Sequence, residues 1–235
     1  MLVSGIPVQI VRKSIKNLHL SVYPPDGRVR VAVPQHLSDD NVRLAVISRL
    51  SWIKKQQAKF QAQPRQSARE MVTGESHYVF GKRYRLDVIE RQGTHEIAIA
   101  NNNTLQLFVN PGTTTQNREL VLNQWYRHQL KAQIPALLDR WQLIIGKEIE
   151  DWGIKKMKTK WGSCNITQRR IWLNLELAKK PLECLEYVVV HELVHLHERY
   201  HNDRFKTYMS KYLPQWKLYR DLLNRQPLAK ENWLN

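Results

Sequence analysis

The spacing of hydrophobic positions changes along the chain and predicts two kinds of structure. Residues 18–23 and 28–33 alternate apolar and polar side chains on either side of Pro24-Pro25-Asp26-Gly27, which predicts a β-hairpin. Ser38 is a candidate N-cap for an amphipathic helix from about Asp39 to Lys59. Four further segments have the composition of strands: 77–80, 84–89, 96–100 and 104–109.

The second half of the chain is mainly helical by the same criterion. Residues 116–145 predict a long amphipathic helix, and Pro135 is expected to kink it. Two short extended segments follow, at 154–161 and 170–175. Two more helices are then predicted, an apolar one at about 182–199 and an amphipathic one at about 202–213.

These elements predict an α+β fold with two regions. Residues 1–112 would form a β-rich N-terminal region with one helix, and residues 113–235 a helical core. No internal repeat is evident in the sequence. No apolar run reaches the ~20 residues that span a bilayer, and no secretory signal is present. We therefore expect a cytoplasmic protein without a membrane-spanning segment, in which Cys164 and Cys184 are reduced thiols.

The chain is strongly basic, with a formal net charge of +16. Division after Thr115 leaves +8 on each side, so the excess is not confined to a tail. A field of this sign attracts anions such as nucleotides, nucleic acid or acidic peptides, but it does not select among them.

One motif carries recognisable chemistry. His191-Glu192-Leu193-Val194-His195 matches H-E-x-x-H. On a helix, residues four apart lie on one face, so both imidazoles can reach one cation at ~2.0–2.1 Å. Glu192 would then reach a metal-bound water as a general base. The alternative is a buried His–Glu hydrogen-bond cluster without metal.

Catalytic zinc usually takes a third protein ligand. His201 is the best candidate, although it would point away from His195 on an unbroken helix, so the helix must bend or end near 199–202. The related longer motif uses a glycine for this turn, where this chain has Glu198. Glu198 is the rival third ligand, and His197 is a weaker one.

Several short motifs follow one another between about Lys156 and Trp216. They are Trp161-Gly162-Ser163-Cys164, Ile171-Trp172-Leu173-Asn174, Tyr187 to Leu196, and His201 with Phe205. Taken in order, they resemble the YgjP-like metallopeptidase-domain family, which is close to the SprT-like and WLM zinc peptidases. The chain departs from the family pattern at Lys206, where a tryptophan is common.

The resemblance implies a zincin-like catalytic core, made of a long helix, a short sheet and the H-E-x-x-H helix. It implies zinc bound by His191, His195 and His201, with Glu192 catalytic. The family is known more by its metal-dependent hydrolase chemistry than by its substrates.

Other residues are candidates for substrate contacts. If 154–161 is a strand, Lys156, Lys158 and Lys160 share one face and could hold an anionic substrate; a solvated edge strand would also carry lysines. Asn174 is a candidate to hydrogen-bond a ligand histidine or the active helix. Tyr200 and Arg204 are candidate oxyanion donors.

Three classes of function remain open at this stage. The first is a zinc-dependent hydrolase, either a metallopeptidase or a nucleoside triphosphate pyrophosphatase acting on a phosphoanhydride. The second is a nucleic-acid-associated zinc protease, whose binding would weaken steeply with salt. The third is a non-catalytic zinc module, which would have a closed site with four ligands. The peptidase interpretation is the leading one.

Overall fold

The structure is a computed structural model that describes residues 1–23, 26–62, 69–157 and 160–225. Contacts divide it into two compact units, one formed by the described residues of 1–66 and one by those of 67–229. The sequence places the boundary after residue 112 instead. The difference arises because apolar residues of the second sheet, such as Leu107, share a core with the long helix that follows.

The first unit is a four-stranded sheet covered by two helices. Val29, Val31 and Val33 are fully buried on the covered face. The strand order is β1-β2-β4-β3, with β1 at Leu2–Val3, β2 at Ile6–Lys13, β3 at His19–Tyr23 and β4 at Arg28–Pro34. The predicted hairpin is confirmed, since β3 and β4 are antiparallel.

The predicted helix at 39–59 is two helices in the structure. Helix α1 spans Asp39–Ile47 and α2 spans Leu50–Ala62. Ser38 caps α1 as predicted, because its side chain accepts a hydrogen bond from the Asn41 amide. The chain turns at Ser48, whose hydroxyl donates to the Ala45 carbonyl at 3.0 Å and so competes with continued helix.

The second unit begins with another four-stranded sheet and a long helix. The strands are β5 at Ser76–Val79, β6 at Lys82–Glu90, β7 at Glu96–Ala100 and β8 at Thr104–Val109. All four were predicted. Helix α3 spans Thr115–Ile145 and continues through Pro135. Its buried stripe recurs every fourth residue: Leu122, Tyr126, Leu130, Ile134 and Leu138.

The two four-stranded sheets have the same topology. The order β5-β6-β8-β7 repeats β1-β2-β4-β3, with an antiparallel, a parallel and an antiparallel pairing in both. The first turn of each sheet has two successive residues with positive φ, and the second of them is a glycine. They are Ser4 and Gly5 in the first sheet, and Phe80 and Gly81 in the second, 76 positions later. The helix caps Ser38 and Thr114 have the same separation. The chain therefore contains an internal duplication that the sequence analysis missed.

The remaining elements form the core that carries the H-E-x-x-H motif. A three-stranded sheet has the order β10-β11-β9, with β10 at its edge. Its strands are β9 at Asp151–Lys155, β10 at Gly162–Asn165 and β11 at Arg170–Asn174. A 3-10 helix at Leu175–Lys179 leads into α4 at Leu182–Val194, α5 at Asp203–Tyr212 and α6 at Trp216–Arg225.

The α+β class and the predicted core of long helix, short sheet and H-E-x-x-H helix are confirmed. The predicted strand at 154–161 ends at Lys155, and the predicted helix at 182–199 ends at Val194. Among the described residues, no helix combines the length and the apolar character needed to cross a bilayer.

Candidate metal centre

Helix α4 carries the H-E-x-x-H motif through the core of the second unit. Val188, Val189 and Val190 favour a strand by propensity, yet they are helical here and at most 2% exposed. Burial against the surrounding elements outweighs the propensity difference, which is the smaller effect. The helix therefore delivers His191, Glu192 and His195 to its C-terminal end.

The chain reverses direction after α4 without a glycine. His195 caps the helix with right-handed backbone angles, and the amides of His197 and Glu198 both donate to the Val194 carbonyl. No residue from 195 to 202 has a positive φ. Asn202 then caps α5, and this places His201 beside the two motif histidines.

The three histidines form a nearly equilateral triangle. The ring centroids of His191, His195 and His201 are 4.8 to 4.9 Å apart. Their ligating nitrogens all lie within 4.8 Å of one another, and Nε2 of His191 is 3.0 Å from Nε2 of His201. Two nitrogens bound tetrahedrally to one zinc at ~2.05 Å would be about 3.3 Å apart. The set therefore fits a single zinc-sized cation.

Phe205 closes the inner side of this triangle. Its ring centroid is 4.8 to 4.9 Å from that of each histidine, and the residue is 3% exposed. The Asn202 side chain accepts a hydrogen bond from the Phe205 amide, so the helix cap that turns the chain also positions this ring.

The protonation of the histidines also suits a metal. Nδ1 of His195 lies 3.1 Å from the Glu198 carbonyl oxygen, so it donates there and leaves Nε2 with a free lone pair. Burial, followed by the charges of His195 and His201, lowers the pKa of His191 to about 3. Burial also lowers the pKa of His195. Neutral imidazoles are the form that binds metal.

Glu192 is enclosed beside the histidines. It is 5% exposed, and burial raises its pKa to about 8 against the opposing effect of Lys160. Gly162 of β10 packs directly on its carboxylate: a Cβ at this glycine would lie 2.5 Å from Oε1 and 2.9 Å from Cδ. The absence of a side chain at Gly162 therefore makes the space that the carboxylate occupies.

A cleft of about 1030 Å³ opens over the histidines and Glu192. All four residues of the edge strand β10 line it. Cys164, on this strand, is half-buried, and burial followed by the Glu192 charge raises its pKa to about 12. Its sulfur is not part of the three-histidine group, so the candidate ligands found among the described residues are three of one type.

Of the three lysines predicted to share one face, Lys156, Lys158 and Lys160, only one is found at the cleft among the described residues. Lys160 lines it. Lys156 follows the end of β9 and pairs with Glu119 at 3.3 Å. Lys158 lies outside the described residues.

Asn174 is buried but does not contact the ligand histidines. Its side-chain oxygen accepts from the amides of Met157 and Glu176, and its amide nitrogen donates to the carbonyls of Met157 and Lys160. It thus holds Met157 and Lys160, at the two ends of the segment that leads into β10.

The candidate oxyanion donors do not line the cleft. Tyr200 is 66% exposed, and Arg204 lies 3.5 Å from the Tyr208 hydroxyl on the surface of α5. Arg199 lines the cleft in their place. The rival ligand Glu198 points elsewhere, because its carboxylate accepts from the Tyr200 amide at 3.1 Å. The spacing of residues in the sequence does not predict that Arg199 lines the cleft or that Gly162 contacts Glu192.

Fold and site together define a protein with three histidines that could hold one metal ion beside a buried carboxyl group. The chain belongs to the YgjP-like, metallopeptidase domain family, whose model matches residues 16–226. It is therefore a hydrolase of the metallopeptidase class, and the family implies a bound metal ion.

Two solved structures are similar to part of the chain. The metallopeptidase zymogen abylysin of Pyrococcus abyssi is 22% identical over 41% of this chain and 98% of its own, with a TM-score of 0.36. The metallopeptidase zymogen jannalysin of Methanocaldococcus jannaschii is 21% identical over 37% and 93%, with a TM-score of 0.33. No curated protein matches the chain.

Proposed function

We propose that this protein is a zinc metallopeptidase in which His191, His195 and His201 hold the metal and Glu192 is the general base. The observation that carries the proposal is the triangle of three imidazoles with the 5%-exposed Glu192 at its side. A bound zinc ion would supply a Lewis acid that polarises the scissile carbonyl and lowers the pKa of a coordinated water to ~7.

Glu192 would carry out both proton transfers of the reaction. Glu192 would accept the proton of the attacking water on a carboxylate oxygen, as water adds to the carbonyl carbon. The same carboxyl would then give this proton to the departing nitrogen as the C–N bond breaks. Burial suits Glu192 to both steps, because a carboxyl with a raised pKa is a competent acid as well as a base.

The substrate would lie along β10. This strand is at the edge of its sheet, and it lines the cleft over its whole length. An extended peptide can pair with such an edge through main-chain hydrogen bonds. This pairing would bring a peptide carbonyl past Gly162, next to the Glu192 carboxylate.

The second candidate is hydrolysis of a nucleotide phosphoanhydride at the same centre. Its support is the charge of the cleft: Lys160 and Arg199 line it, and cations favour an anionic substrate. A structural zinc site has less support, since such sites usually have four protein ligands and the cluster found among the described residues has three.

The decisive experiment compares the wild type with Glu192→Gln. Zinc content would be measured by plasma mass spectrometry, and turnover with unfolded casein and with nucleoside triphosphates. We expect Glu192→Gln to retain zinc and to lose at least ~100-fold in casein turnover, the contribution typical of a positioned base. Glu183→Gln, an exposed site on the same helix, is the matched control. Equal turnover in the wild type and Glu192→Gln would reject the base assignment; turnover of triphosphates alone would favour the second candidate.

A further inference from the structure

The two copies of the duplicated sheet differ in charge, and the first copy is the basic one. Positions 1–66 contain eleven Lys or Arg and three Asp or Glu, a net of +8. Positions 67–115, which contain the second copy, have five of each and no net charge. Half of the total of +16 is therefore carried by the N-terminal unit, although both copies build the same sheet.

The geometry of the first sheet places part of this charge on one open face. Val29, Val31 and Val33 point to the helices, so Arg28 and Arg30 point to the other face. Arg28 is exposed and pairs across strands with Tyr23 of β3. Arg30 is half-buried and is flanked by Ser21 of β3 and Gln9 of β2.

Further along the same face are His19, which is exposed, and Lys13, at the end of β2. No Asp or Glu lies on any of these strands. Within the described part of the chain, neither Arg28, Arg30 nor Lys13 forms an ion pair. The face thus combines three uncompensated cations with two aromatic rings.

The second copy provides an internal comparison. The equivalent face of its sheet carries Arg83 and Arg85 on β6, but also Asp87 on β6 and Glu96 on β7. Its charges balance. The basic open face is therefore a property of the first copy and is not required by the fold.

We propose that the open face of the N-terminal sheet, formed by His19, Tyr23, Arg28, Arg30, Gln9 and Lys13, binds single-stranded nucleic acid. Unpaired bases stack on Tyr and His rings, and Arg and Lys contact the phosphates. Both rings are on β3 and both arginines are on the neighbouring strand β4, about 4.8 Å away, so one strand of nucleic acid can reach both. This activity is independent of the metal centre.

The test measures binding of a fluorescein-labelled oligouridylate of about 20 nucleotides to the full chain by fluorescence anisotropy. The variants are Arg28→Glu/Arg30→Glu and the matched control Lys54→Glu/Lys55→Glu. The control changes two exposed lysines on α2, in the same unit, and alters the net charge equally. Circular dichroism would verify that each variant folds. If Arg28→Glu/Arg30→Glu does not fold, Arg28→Gln/Arg30→Gln takes its place.

We expect the arginine variant to bind at least tenfold more weakly and the lysine control less than threefold. The slope of log K against log salt should fall by roughly 1.4 in the arginine variant, for two lost contacts to a single strand. Tyr23→Ala should weaken binding about tenfold through lost stacking. Three outcomes would overturn the proposal: no binding by the wild type, equal weakening by both double variants, or tighter binding to phosphatidylserine vesicles than to the oligonucleotide.

Discussion

Substitution of Gly162 by alanine would test whether this glycine positions the general base. Gly162 does not have a positive φ, so the backbone accepts alanine, and the expected effect comes from the new methyl group alone. Its carbon would lie 2.5 Å from Oε1 of Glu192, where ordinary contact begins at 3.4 Å. The carboxylate must therefore retreat by about 1 Å, and a displacement of this size can cost ~100-fold in turnover.

The assay is casein hydrolysis with zinc content and thermal unfolding measured on the same preparation. We expect Gly162→Ala to keep its zinc, because the methyl group meets Glu192 and not a ligand histidine, and to lose about 100-fold in kcat. Gly153→Ala is the matched control, since its methyl group would overlap the Trp172 ring in the same sheet. It should lower thermal stability but not the turnover of the folded fraction.

A double substitution separates positioning from general damage. If Gly162 acts through Glu192, then Gly162→Ala should cost little more in a Glu192→Gln background, because the group it displaces is already inactive. Full turnover in Gly162→Ala would refute the reasoning. So would a second 100-fold loss in the double variant, since it would show that the glycine acts on something other than the carboxylate.

Three further predictions concern stability. Asn174→Ala should lower the free energy of unfolding in urea by about 2–4 kcal/mol, because the buried Asn174 side chain makes four hydrogen bonds to backbone groups that would lose their partner. Burial, then Arg69, lowers the pKa of His77 to about 4. The free energy of unfolding should therefore fall by up to about 3 kcal/mol as pH drops from 6.5 towards 4, because the unfolded chain binds a proton that the native state excludes. His77→Gln should flatten this part of the pH profile of urea unfolding, and an unchanged profile would contradict the assignment. Tyr126→Phe should cost about 1 kcal/mol, since the hydroxyl donates to the Tyr78 carbonyl at 2.8 Å; no shift in the urea midpoint would count against that bond.

The sequence predicts well what depends on local periodicity. The β3–β4 hairpin, the strands of the second sheet and the length of α3 follow from alternation, turn residues and a four-residue apolar repeat. The grouping of His191 with His195 is also predicted, since spacing within a helix decides which side chains share a face. His201 could be added only because catalytic zinc usually takes a third protein ligand and because the family resemblance implies it. The helix was predicted to bend or end near 199–202, so that His201 could join the other two; it ends earlier, at Val194.

Contacts between distant segments are what the sequence does not predict. Gly162 and Glu192 are 30 positions apart, and nothing in either local pattern indicates that they touch. The duplication escaped notice because most of its equivalent positions share only physical class. Val29, Val31 and Val33 correspond to Leu105, Leu107 and Val109, each pair 76 positions apart. All six residues are buried, but only Val33 and Val109 are the same residue type.

The duplication also explains how the metal centre is supported. In the second copy the helix after the sheet is one uninterrupted element, α3, whose first half packs with β8 in one core. The C-terminal end of α3 contacts the turn between His195 and His201: the carbonyl oxygen of Ile145 lies 3.0 Å from Nε2 of His197. In the first copy the corresponding helix breaks at Ser48. One copy thus braces the turn between His195 and His201, while the other keeps a charged open face.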